Sequence, residues 1–104
     1  MAIQQTVTAT KAGSTFANFD EALAAYSASA NSSALQTTLT SLRTDGDFVP
    51  NDSFDADTQT LTMIRTWNED AYNAYVAAQS SARPAAKANL EADGWTVSQS
   101  VATV

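Results

Sequence analysis

Residues 61–76 read LTMIRTWNEDAYNAYV. Leu61, Met63, Arg65 and Trp67 alternate with Thr62, Ile64 and Thr66, the period of two that marks a strand. Asn68 then stands where a helix N-cap would, and Glu69 and Asp70 put negative charge on the first turn, where the helix dipole favours it. Ala71, Tyr72, Tyr75 and Val76 follow at helical spacing. The stretch predicts a strand running straight into an amphipathic helix.

Its pattern recurs about half a chain away. Asp20-Glu21-Ala22 with Tyr26 matches Glu69-Asp70-Ala71 with Tyr75. Asp45-Gly46-Asp47-Phe48-Val49 matches Asp93-Gly94-Trp95-Thr96-Val97, with Leu42 answering Leu90. Two matches each offset by about half the chain are the mark of an internal duplication.

The remaining segments fit that repeat. Ile3, Gln5, Val7 and Ala9 alternate with Gln4, Thr6, Thr8 and Thr10, which predicts a strand over 3–10, and a loop follows over 11–17. Asn18 and Glu21 have capping-box spacing, and Phe19, Ala22, Leu23 and Tyr26 form one face of a helix ending near Ser29. Leu35, Leu39 and Leu42 predict a second helix closed by Gly46, with a Thr-rich strand as the competing reading. Phe48 to Phe54 reads as a short strand before a turn at 55–58, and Pro50 puts it at a sheet edge or a bulge. A further helix starts near Arg83, with Pro84 in its first turn, and runs through Leu90 to Gly94. Trp95, Val97, Gln99 and Val101 share one face of a closing strand. Each half thus reads βααβ. The expected fold is a ferredoxin-like α+β sandwich: a four-stranded, mainly antiparallel sheet with its helices on one face. It would form a single domain over 1–104, with pseudo-repeats at about 1–54 and 60–104.

Composition narrows the chemistry. The chain has 104 residues and is 44% apolar, but alanine supplies much of that share, so the core is thin and a homo-oligomer or larger assembly is expected. The formal charge is −6, and the five basic residues (Lys11, Arg43, Arg65, Arg83, Lys87) are scattered along the sequence. That pattern argues against nucleic acid and anionic membrane as partners. There is no cysteine and no histidine, which removes disulfides, thiolate metal sites and every Ser-His-Asp arrangement. No apolar run is long enough to span a membrane, and the start MAIQQTVTAT lacks the pattern of a secretory signal. Cytoplasm or virion is the expected location, and no cofactor is implied.

Six residues stand out as interface or pocket candidates. Trp67, Tyr72, Tyr75, Tyr26 and Trp95 could line a pocket for a planar ligand or a subunit contact, although such spacing is first of all that of a core. Arg65 shares a strand face with Leu61, Met63 and Trp67 and needs a carboxylate partner or an opening to solvent there, an inter-strand or inter-subunit ion pair being favoured over an anion anchor. The acids Asp45, Asp47, Asp52, Asp55 and Asp57 lack EF-hand spacing and read as solvated turns rather than a Ca²⁺ site. No pair of acids has a catalytic pattern, and Gln4-Gln5 suits a strand edge that meets another chain or a polar sheet face.

Residues 65–71, Arg-Thr-Trp-Asn-Glu-Asp-Ala, resemble the small dimeric α+β-barrel proteins, a superfamily that includes the antibiotic-biosynthesis-type monooxygenases. The resemblance implies two ferredoxin-like sheets paired face to face. Some members carry a catalytic histidine or asparagine, and the histidine has no counterpart here. The short acidic texture and the start Met-Ala-Ile-Gln-Gln also resemble small virion proteins of tailed bacteriophages. The leading expectation is therefore a non-enzymatic structural protein of a phage particle. The alternative is a dimeric barrel that binds or transforms a small aromatic molecule without a cofactor. An enclosed, partly polar cavity lined by Trp67, Tyr72 and Arg65 would favour the alternative, and a sheet face packed solid would count against it.

Overall fold

A computed structural model describes residues 2–104. Met1, the first residue of the expected domain and of the phage-like start, lies outside the described residues. The element order is β1 (Ala2–Lys11), α1 (Phe19–Ala30), α2 (Ser33–Asp45), β2 (Phe48–Asp55), β3 (Thr60–Asn68), α3 (Glu69–Ala78), α4 (Ala82–Ala92) and β4 (Trp95–Thr103). The strands form one antiparallel sheet in the order β2-β3-β1-β4. This is the ferredoxin-like α+β fold, with βααβ occurring twice.

Local chemistry sets the boundaries. Asn18 Oδ1 accepts the Glu21 N–H at 2.9 Å, and Asn68 Oδ1 accepts the Ala71 N–H at 3.2 Å, so both halves open their first helix with the same cap. Gly46 (φ 82°) and Gly94 (φ 92°) both take the left-handed conformation that lets the chain leave a helix for a strand. The Leu35–Leu42 segment is helical because its leucines meet Phe48, Trp67 and Tyr75 along one stripe, which outweighs the poor propensity of its threonines. Pro50 lies on the edge strand β2, where its missing N–H breaks no ladder.

The core lies between the helices and one sheet face. One cluster joins Val7, Ala9, Leu61, Met63, Leu90 and Trp95. A second joins Phe48, Trp67 and Tyr75. Neither takes a residue from the opposite, Thr-rich face. Leu61, Met63 and Trp67 are fully buried, each contributing roughly 1.5–3 kcal/mol or more by burial. Of the two places expected for Gln4-Gln5, the strand edge is excluded, because β1 is flanked by β3 and β4. Among the described residues no helix is long and apolar enough to cross a membrane.

Candidate functional site

Between the sheet and the helices lies a cavity of about 850 Å³, within the range of small-molecule sites. Strand alternation puts Gln5, Asp52 and Arg65 on its floor, because they share a face with Val7 and Phe48. Leu35 and Leu39 of α2 form part of its wall, together with Tyr26 of α1 and Tyr75 of α3. The remaining wall is the α4 face that carries Arg83, Lys87 and Leu90.

Arg65 and Asp52 are the charged pair on the cavity floor. Arg65 faces Pro50 across the β2–β3 ladder and Asp52 faces Met63, so the two charged residues are diagonal neighbours. Burial pushes the Asp52 carboxyl above its ordinary value, and the nearby Arg65 and Arg43 partly offset this. Arg65 donates to Met63 Sδ at 3.2 Å, and its guanidinium carbon lies 5.6 Å from the centre of the Phe48 ring. Its Nε and the Asp52 Oδ1 are sealed from solvent and have no hydrogen-bond partner. Among the described residues the only ion pair is Lys11 with Asp93, at 3.5 Å, so the pairing expected for Arg65 is absent. Its cross-strand neighbour is a proline and the diagonal carboxylate stays apart from it, so it is the inter-strand form of that pairing that is absent. A carboxylate that holds its proton tightly, beside a fixed cation with bonding capacity to spare, can accept a proton from a ligand and stabilise the anion left behind.

The six candidates divide evenly. Arg65, Tyr26 and Tyr75 line the cavity, and Trp67, Tyr72 and Trp95 do not. Trp67 is 1% exposed, stacks on Tyr75 at 4.9 Å between ring centres, and meets Tyr72 edge-on at 5.5 Å. Trp95 stacks on Phe16 at 5.8 Å, and its Nε1 donates to Ser29 Oγ. Burial raises the Tyr26 and Tyr75 hydroxyls above their ordinary 10.0, opposed by Arg65 in the first case and chiefly by Arg83 in the second. The cavity thus has the expected partly polar character with a different aromatic lining.

Several site residues escape sequence reasoning. Gln5, only 4% exposed, accepts from Trp67 Nε1 at 3.1 Å and donates to Gln99 Oε1 at 3.1 Å. Its signal was a glutamine in alternation with Val7 and Ala9. Asp52 was submerged in a run of acids, of which Asp55 does serve a turn: its Oδ1 accepts the Asp57 N–H at 2.9 Å. Among the described residues no three metal-ligating side chains converge. Arg43, Arg83 and Lys87, scattered in sequence, all reach the cavity lining.

No protein-family model and no curated protein matches the chain. Solved structures do. SnoaB, a cofactor-independent oxygenase from Streptomyces nogalater, is 19% identical over 99% of this chain and 92% of its own, with a TM-score of 0.60. A Deinococcus radiodurans protein assigned as an antibiotic biosynthesis monooxygenase is 16% identical over 100% and 92%, with a TM-score of 0.58. A de novo designed ferredoxin-fold protein is 10% identical over 100% and 87%, with a TM-score of 0.50. Identities this low speak for the fold. The likeness nevertheless overturns the phage reading: the chain resembles oxygenase folds rather than virion proteins, and the expectations of a structural role, a virion location and no enzymatic activity are withdrawn.

Proposed function

We propose that the chain is a small-molecule enzyme that binds an aromatic substrate in the cavity and oxygenates it without an organic cofactor. The observation that carries this reading is the Asp52–Arg65 pair, two sealed and unpartnered polar groups of opposite charge on the floor of a ligand-sized cavity. Dioxygen reacts slowly with neutral closed-shell molecules and readily with electron-rich anions. Asp52 would take the proton from an activated ring position, and Arg65 would hold the negative charge that develops. A ring CH₂ then becomes C=O, one oxygen atom entering the product and the other leaving as water, so the substrate supplies all four electrons. The oxygenases with the same fold support this choice of reaction class. A homodimer, with a second copy on the sheet face that carries no helix, belongs to the same proposal. Light scattering at twice the 10.9 kDa chain mass would support it and a monomer would remove it.

The test is oxygen uptake with a panel of polycyclic aromatics bearing an acidic ring CH₂, with no metal or flavin added. Wild type should consume oxygen, and Asp52→Asn should lower kcat by about a hundredfold or more. Uptake that is absent across the panel, or unchanged in Asp52→Asn, would refute the reading.

A further inference from the structure

The cavity has an unusual charge. Its lining holds Arg43, Arg65, Arg83 and Lys87, four of the five basic residues of a chain whose formal charge is −6. Of the eleven acidic residues, only Asp52 lines it. The fifth base, Lys11, is bound to Asp93 elsewhere. Folding therefore gathers the scattered cations round one pocket and leaves nearly all the acids outside. Such a pocket focuses positive potential that a distributed surface would not.

Arg65 belongs with Asp52 on the floor, which leaves three cations. Arg83 and Lys87 are one turn apart on α4 and point to the same side of the helix. Arg83 lies with its guanidinium carbon 5.8 Å from the centre of the Tyr75 ring, so its stem is held against the wall. None of Arg43, Arg83 and Lys87 has an ion-pair partner among the described residues.

We infer that the ligand carries a carboxylate at the end remote from its reacting ring, and that Arg83 and Lys87 bind this group while the ring lies towards Arg65 and Asp52. The inference rests on the cavity being the substrate site, and it adds the class of substrate: an aromatic carboxylate. Guanidinium and ammonium are the donors that such a group prefers, the first through a bidentate fork. Arg43, on α2, adds to the field without being needed for the contact.

Fluorescence titrations with anthracene-2-carboxylate and with its neutral analogue anthracene-2-carboxamide, whose polar group lies on a terminal ring, test this on the intact protein. The carboxylate should bind at least tenfold more tightly at low salt, and the preference should shrink as ionic strength rises. The double variant Arg83→Gln/Lys87→Gln should lose the preference while its affinity for the carboxamide stays the same. Lys11→Gln, outside the cavity, should retain the preference. Equal binding of the two probes by wild type, or a preference that survives the double variant, would overturn the inference and leave the aromatic site standing. If neither probe bound, the proposed function would fall along with it.

Discussion

Asp52 and Arg65 lie diagonally across the β2–β3 ladder, two register positions apart, and do not form an ion pair. Each instead keeps a sealed polar atom unpartnered. Leaving such a group unpaired costs about 1–3 kcal/mol, so the fold carries a local instability where the proposed chemistry occurs.

That instability depends on pH. The Asp52 carboxyl is raised above its ordinary 3.8 by desolvation, so the folded state binds its proton more tightly than the unfolded state does. The resulting stabilisation is complete below pH 3.8 and is lost as pH rises through the raised value. Asp52→Asn should therefore melt higher than wild type at neutral pH, with the difference vanishing below 3.8. Thermal melts across pH 3 to 8 (about the range where carboxylates titrate) provide the check. A difference that did not change with pH would remove burial of the charge as the cause.

Buried Tyr75 and half-buried Tyr26 predict a second transition at high pH. Tyr26 and Tyr75 hold their protons above 10.0 because burial disfavours the phenolate, so the stability linked to them is complete below 10.0 and lost as pH rises beyond it. Ultraviolet titration should show absorbance from these residues delayed past 10.0 in the folded protein and restored to the ordinary position in urea. Tyr26→Phe and Tyr75→Phe should each remove part of the delayed signal.

Gln5 supports Trp67 from inside the sheet. Gln5→Leu leaves the buried indole N–H without an acceptor and should cost about 1–3 kcal/mol in urea denaturation. Adding Trp67→Phe removes the orphaned donor, so the double variant should lose less than the sum of the single losses. Simple additivity would show that the bond carries no coupling.

The duplicated glycine caps should respond alike. A Cβ at Gly46 or Gly94 meets nothing within 4 Å, so alanine there suffers only the left-handed backbone. Gly46→Ala and Gly94→Ala should each destabilise by about 1–2 kcal/mol, measured by chemical denaturation. A much larger loss at one position would mean that the two corners do not carry equivalent strain.

The fold was legible because its punctuation is local. The Asn18 and Asn68 caps, the two Asp-Gly corners and the proline of β2 each act through their own backbone, and residue spacing exposes them. The site was less legible because it depends on what converges. Arg65 could be singled out as a charge on an apolar face, but Asp52 looked like its neighbours in an acidic run. Gln5 looked like part of a polar edge until β1 proved to be flanked on both sides. Arg83 and Lys87 show their meaning only when α4 closes over the sheet. Trp67 and Tyr72 were placed at the ligand by type, and the structure uses them to build the wall behind Tyr75 instead.

The wall formed by α2 has a consequence for motion. No described side chain of this helix is fully buried, although Leu35 and Leu39 point into the cavity. Thr40 and Thr44 donate their hydroxyls back to the Gln36 and Thr40 carbonyls, bonds that tend to bend a helix rather than brace it. Little free energy then separates a closed α2 from one that frays open, so its amides should exchange with deuterium sooner than those of α1 or β3. A molecule seated beneath Leu35 and Leu39 would supply the missing apolar contact, and the same amides would slow. Exchange mass spectrometry would thus report occupancy of the cavity from a helix that takes no part in the chemistry.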